Sequence, residues 1–521
     1  MESSQEALQL DELRPKAAEA QPIGYTISSW LFQRALGISY LAAFLSMTFQ
    51  IIGLIGHDGI LPIDRAINYL HAANGNMFDL GSIAFFNCSD FALNALCWSG
   101  VTFSLLLIAG VLPAVSAALC WLLWLSIVNI GQDFLCFQWD ILLLEAGFLT
   151  IFLAPWVVLD IPLRKNKCLM FAKPYMVAIW MFQWLLFRLM LESGLCKLFS
   201  GDETWRNLTA MAYHYHTQPL PTPVAWLADK LPGVVLKFST FSTLVIELLC
   251  PFFIFVKKLR LIAAFPLMSL QLLVALTGNY AYFNLLTFSL CFFLIDDRLW
   301  MKFLRFLKRN SEVTYQNLQV QLPQKIGSIA CSMLILCFSA EQVLASSVGV
   351  PSFVSDLKAG LRNYYLYNGY GLFAVMTTER NEIVLEGSMD GQEWKQYEFK
   401  FKPGNIFMPP CIVAPGQPRL DWQMWFAALG DISQSPWFGH FVLKIFQNSP
   451  EVLGLLKVNP FPDRPPAMLR ARLYKYTFSD WNELLRDGQW WHSEYKGEFL
   501  PAITREGVLH QDTPLSPARR I

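Results

Sequence analysis

Charge is what this chain has least of. Lys, Arg, Asp and Glu make up 15% of its 521 residues, against about a quarter in ordinary soluble domains. The 40 basic and 40 acidic residues cancel. No basic surplus remains to meet a phosphate backbone, which argues against a nucleic-acid partner. None of the eleven cysteines forms a C-x-x-C pair, removing a thioredoxin-type redox site and a zinc knuckle. P-loop, G-x-S-x-G and H-E-x-x-H patterns are absent, and Gly369-Tyr370-Gly371 lacks the third glycine of a dinucleotide fingerprint. The first 28 residues are polar and carry no apolar core or small-residue cleavage site of a signal peptide. The first membrane segment is therefore expected to act as its own targeting signal.

What is abundant is apolar. Hydrophobic residues reach 54% and mean hydropathy is +0.36. They gather in blocks of roughly 20, the length that crosses ~30 Å of hydrocarbon as helix. Nine spans are predicted, near 30–56, 93–112, 114–130, 134–159, 175–198, 234–256, 259–277, 280–296 and 326–346. Basic residues gather in three connections: Arg164, Lys165, Lys167 and Lys173; Lys257, Lys258 and Arg260; and Arg298 through Lys325. With nine spans and a cytosolic N-terminus all three fall on the cytosolic side, as positive-inside bias requires. The sequons at Asn87 and Asn207 fall on the opposite, lumenal side, where N-glycosylation is possible.

Composition changes near Pro351. The remainder has no span-length apolar run and is rich in Trp, Tyr, Phe and Pro. Met389-Asp390-Gly391 reads as a hairpin turn between strands within 382–401. Residues 421–429 read as a short helix and 469–478 as a strand. The predicted fold is thus an α-helical polytopic membrane bundle followed by a β-rich, sandwich-like lumenal domain. Its parts are a cytosolic tail (1–28), a membrane domain (29–348) with lumenal loops 57–92 and 199–233, the β-rich domain (351–510) and a flexible tail (511–521).

Charges inside spans are costly and are functional candidates by default. Asp140, Glu145, Arg188, Glu192 and Glu247 form the candidate intramembrane polar network. Arg188 and Glu192 lie one helical turn apart and can pair; Asp140 or Glu145 can meet Arg188 across helices. Two readings compete: a proton relay, substrate path or catalytic cluster, and a satisfied network fixing helix register. His214 and His216 form a candidate lumenal-loop site, because residues two apart share a face if the segment is extended. No third ligand stands at a defined spacing, so no metal is implied. Trp422, Trp425, Trp437, Trp490 and Trp491 are candidate client-binding aromatics, the competing reading being that they build the core. Cys88 and Cys411 are the expected exposed thiols.

Several runs resemble the lipase maturation factor family. They include Gly131-Gln132-Asp133-Phe134, Phe137-Gln138-Trp139-Asp140, Tyr213-His214-Tyr215, Thr277-Gly278-Asn279-Tyr280, Tyr370 through Thr378, and Gln417 through Ala428. The likeness covers roughly 30–500. His216 stands where the resemblance leads one to expect an acidic residue. The resemblance implies an endoplasmic reticulum membrane chaperone without a cofactor. Its partners would be the bilayer and secreted, lipoprotein-lipase-like clients, held by the lumenal tail and the loop after the fifth span. It also implies an alternative, a membrane enzyme related to the helix bundle of the vitamin-K-dependent carboxylases. A transporter is disfavoured, as no inverted repeat is visible.

Overall fold

A computed structural model describes residues 24–73, 75–160, 163–165, 168–306, 312–316, 321–344 and 352–509. Most of the expected cytosolic tail at 1–28, and all of 511–521, lie outside the described residues.

Among the described residues six helices are long and apolar enough to cross a membrane. In chain order the bundle runs Thr26–Thr48 (α1), Asp90–Ala109 (α2), Pro113–Ile130 (α3), Gln138–Leu153 (α4) and Met176–Phe199 (α5). A short helix, Ala210–Thr217 (α6), precedes Gly233–Phe253 (α7), Arg260–Thr277 (α8), Phe283–Leu290 (α9) and Leu322–Leu344 (α10). The six are α2, α3, α5, α7, α8 and the first 21 residues of α10. The other three predicted spans are helical too: α1 has 23 residues but carries Gln33 and Arg34, α4 has 16, and α9 with its 3-10 extension ends at Leu294.

The bundle has two distinct ends. At one, Asp297 caps α1 by accepting the Thr26 and Ile27 N–H groups at 3.0 and 2.9 Å. Arg260 reaches the Tyr25 hydroxyl, and Arg34 pairs with Asp160 at 3.2 Å. Here the strands Leu163–Lys165 (β1) and Cys168–Ala172 (β2) are joined by Glu312–Gln316 (β3), parallel to β2. The three basic connections therefore share one end, as their charge requires. The α2–α3 turn also lies here: Gly110 closes it at φ +79°, with Arg34 and Asp160 too close to admit a Cβ, and Pro113 opens α3 at its first turn.

The other end is covered by the C-terminal region. Its strands Arg380–Ser388 (β4) and Lys395–Gln396 (β5) flank a turn in which Gly391 takes φ +75° and Asp390 accepts the Gln392 and Glu393 N–H groups. This is the expected hairpin, but its second strand leaves after Gln396. Glu398–Phe399 (β6) pairs instead with Leu456–Val458 (β7). Met468–Phe478 (β8) and Trp491–Thr504 (β9) complete an antiparallel sheet of order β5-β4-β8-β9. The layer against it is helical: Arg419–Ala427 (α11) packs on β4, and Pro436–Phe446 (α12) buries Phe438, Phe441, Val442 and Ile445 along one stripe. Among the described residues there is thus a sheet backed by helices, not two sheets face to face. Apolar positions at helical spacing in 436–446 supply the second layer.

One apolar core runs unbroken from bundle to tail, joining Phe32 and Trp139 to Trp422, Phe438 and Ile445.

Candidate functional site

The intramembrane charges are held in three groups, and the tail completes two of them. Asp140, in the first turn of α4, is fully buried. Its partner is Arg419 from α11, 279 residues away, bonded at 2.5 and 2.8 Å. The Tyr282 hydroxyl donates to the same carboxylate at 2.6 Å, and Arg419 also reaches the Phe134 carbonyl at 3.2 Å. A planar guanidinium suits this two-pronged pairing.

One turn deeper, Glu145 pairs with Arg188 across α4 and α5. Its second oxygen accepts from Asn368 N–H (3.1 Å), Asn368 Nδ2 (3.0 Å) and the Tyr370 hydroxyl (2.9 Å). Arg188 reaches back to the Asn368 carbonyl at 2.9 Å. The expected Arg188–Glu192 pair is not the one formed, because Arg188 turns to Glu145. Glu192 accepts the Tyr370 N–H at 2.9 Å, and Gln138 the Gly371 N–H at 3.0 Å. The third group links Glu247 of α7 to Lys197 of α5 at 2.9 and 2.8 Å, with Lys197 also over the Trp205 ring. All five predicted network residues are engaged by protein partners, which favours the register-fixing reading.

The histidines do not form a joint site. Residues 210–217 are helical, so positions two apart point to different sides. His214 turns inward. The Tyr280 hydroxyl donates to Gln218 at 2.6 Å, leaving its oxygen to accept from His214 Nε2, 3.3 Å away. His216 faces Asp229 at 2.8 Å. Among the described residues no group of three His, Cys, Asp or Glu could hold a metal ion.

Burial pushes the His214 imidazole down from 6.5 to about 4. Unfolded chains then bind the extra proton first, so His214's contribution is fully present above pH 6.5 and is lost as pH falls toward 4. The total is roughly 3 kcal/mol, with about 2 kcal/mol gone by pH 5. Thermal unfolding between pH 7 and 5 should show a shallower slope for His214→Gln than for the unaltered chain.

The aromatic candidates sit inside. Trp422 packs edge-on to Trp139 and Trp437 to Phe134, locking the tail onto the start of α4. The Trp425 indole donates to the Thr217 carbonyl at 2.9 Å, and Trp491 packs on Phe478. Trp490 alone is half-buried, against Trp226 of the loop at 199–233. Burial of Trp422, Trp425, Trp437 and Trp491 favours the core reading over client binding for these four. Similarly, Cys88 and Cys411 are half-buried, while Cys136 and Cys337 are the exposed thiols among the described residues. Asn87 and Asn207 are both exposed.

Sequence reasoning missed the tail's contribution. Arg380 is buried and bonds Glu382 at 2.9 and 2.6 Å, with His216, Gln218 and Pro219 carbonyls completing its fork. Asn279 and Arg419 were passed over in the same way. No sequence signal singles out Arg419 as the partner of Asp140, because charges of both signs, Arg34, Arg188, Lys197 and Lys237 among them, already fall within the predicted spans.

Helical membrane passes capped by a C-terminal sheet domain, with charges of the passes neutralised from that domain, define a multi-pass membrane protein in two interlocked modules. The model described as "Lipase maturation factor transmembrane domain" matches residues 27–302, and "Lipase maturation factor C-terminal domain" matches 366–501. The chain belongs to the lipase maturation factor family. It is 35% identical to lipase maturation factor 2 of Gallus gallus over 92% of this chain and 82% of that protein. It is 33% identical to lipase maturation factor 2 of Homo sapiens (94% and 85%) and 31% identical to lipase maturation factor 1 of Bos taurus (95% and 92%). No solved structure matches the chain.

Proposed function

We propose that this chain is an endoplasmic reticulum membrane chaperone that brings secreted, lipoprotein-lipase-like enzymes to their active, assembled fold. The observation that carries the reading is the match of both modules, in one chain, to lipase maturation factors. In this reading α1 to α5 and α7 to α10 make nine crossings, the N-terminus is cytosolic and the tail lumenal. Support comes from the basic connections, which share the end away from the tail, and from the exposed sequon asparagines. Both Asn87 and Asn207 are then open to glycosylation. Asn87→Gln and Asn207→Gln should each remove one glycosidase-sensitive mobility step; insensitivity of the unaltered chain would count against a lumenal tail.

The client-facing surface we assign joins loop and tail. Trp226 of the 199–233 loop packs against both Trp481 and Trp490. Beside it the short helix Trp481–Asp487 leaves Trp481 49% and Leu485 81% exposed. Exposed apolar side chains on a capped, ordered helix suit transient cover for the apolar surface of a half-assembled enzyme.

The test is rescue in lipase-secreting cells lacking their own family member. The full chain should raise secreted lipase activity per unit lipase mass. The double variant Trp481→Ser with Leu485→Glu should reach the same abundance and lose most of that gain. Failure of the full chain to raise activity would overturn the function. Full rescue by the variant would overturn only the assigned surface.

A further inference from the structure

The last turn of α8 is clasped twice. From the loop side, the Thr222 hydroxyl donates to the Leu276 carbonyl at 2.6 Å and the Thr222 N–H to the Thr277 carbonyl at 3.3 Å, while Pro221 and Gly278 form a β-bridge. From the tail, Cys411, Val413 and Ala414 bond the Asn279 side chain at 2.7, 2.7 and 2.9 Å. The polar groups of each clasp are turned inward. What remains outside is apolar: Val224, Leu227 and Leu231 after the first clasp, and Phe407, Met408 and Ile412 before and within the second. Ile412, flanked by two bonded residues, is 74% exposed.

We propose that these two segments form an apolar collar seated in the boundary between headgroups and acyl chains of the leaflet on the tail side. Three observations select lipid over a soluble protein as the occupant. The clasps fix both segments to Leu276–Asn279, within two residues of the end of a spanning helix. The final turns of that helix expose Leu272, Leu273 and Leu276, so outward apolar surface reaches the clasped turn itself. The six collar side chains lie on segments that two separate modules anchor at that one turn, and burial in the interface scales with the apolar area brought to it. The C-terminal domain is then a lipid-contacting domain, its tilt against the bilayer fixed at α8 as well as at the buried ion pairs. The inference holds whichever side of the membrane the tail occupies and whatever its client.

The test uses the full chain in phosphatidylcholine nanodiscs containing a phosphatidylcholine with a diazirine on its acyl chain, and maps adducts after illumination by peptide mass spectrometry. Peptides of 270–276 report lipid-facing α8, and the exposed polar segment 392–396, with Gln392, Glu393, Lys395 and Gln396, reports water. Adducts are expected on both 224–231 and 407–412, about tenfold above the water reference, as for apolar groups seated at the acyl boundary. Phe407→Ser with Ile412→Ser should lower the yield on 407–412 severalfold while 270–276 is unchanged. Labelling of 270–276 alone, or of only one of the two segments, would overturn the collar. So would an absence of lipid adducts on 407–412 together with protection of that segment from a water-soluble label by added client lipase.

Discussion

Replacing Arg419 with alanine is expected to cost about 3–5 kcal/mol, the penalty for stripping one partner from a buried charge pair. Asp140 is fully buried and Arg419 nearly so, and Tyr282 alone cannot neutralise a carboxylate. The same position also anchors α11 under β4 and Trp422 against Trp139, so the loss reaches both modules. The pair Asp140→Asn with Arg419→Met removes both charges and keeps similar volume. It should recover much of the loss, because a buried pair seldom outperforms well-packed neutral groups. Thermal unfolding in detergent and steady-state abundance in cells are the readouts. If Arg419→Ala keeps both at the unaltered level, Asp140 is not a structural charge and returns to the candidates for chemistry.

Local signals survived the passage from sequence to structure; long-range ones did not. The spans at 93–112, 114–130 and 175–198 meet α2, α3 and α5 within a few residues, because a 20-residue apolar window is a property of the segment alone. The Asp390-Gly391 turn and the strand at 469–478 were legible for the same reason. The two-residue spacing of His214 and His216 gives a shared face only in an extended segment, and 210–217 is helical. Ala210, Met211 and Ala212 favour helix, and Pro219 follows its end. The tail tryptophans could not be sorted by composition, since burial depends on what packs against them, here α4. Arg419 was the hardest case. It lies within the long family-like run at 417–428, but nothing local tells an arginine that enters the bundle from one that faces solvent.

Deleting residues 351–521 should leave a bundle that does not accumulate. The tail gives Asp140 its arginine, Glu145 three of its four donors, and Glu192 and Gln138 the backbone N–H groups of Tyr370 and Gly371. Each buried group left unsatisfied costs about 1–3 kcal/mol, more when charged. Four at once approach the ~5–15 kcal/mol that keeps an ordinary domain folded. A truncated chain that fails to rescue lipase would therefore report lost folding rather than lost client contact, which is why surface substitutions at Trp481 and Leu485 are the cleaner probe. Supplying 351–521 as a separate chain behind a cleavable signal peptide in the same cells should restore the abundance of the truncated bundle, since the buried pairs can re-form without a covalent link. If instead the bundle alone reaches full abundance and resists proteolysis as the whole chain does, the tail is an appended domain, and the charges of α4 and α5 must be satisfied within the membrane part.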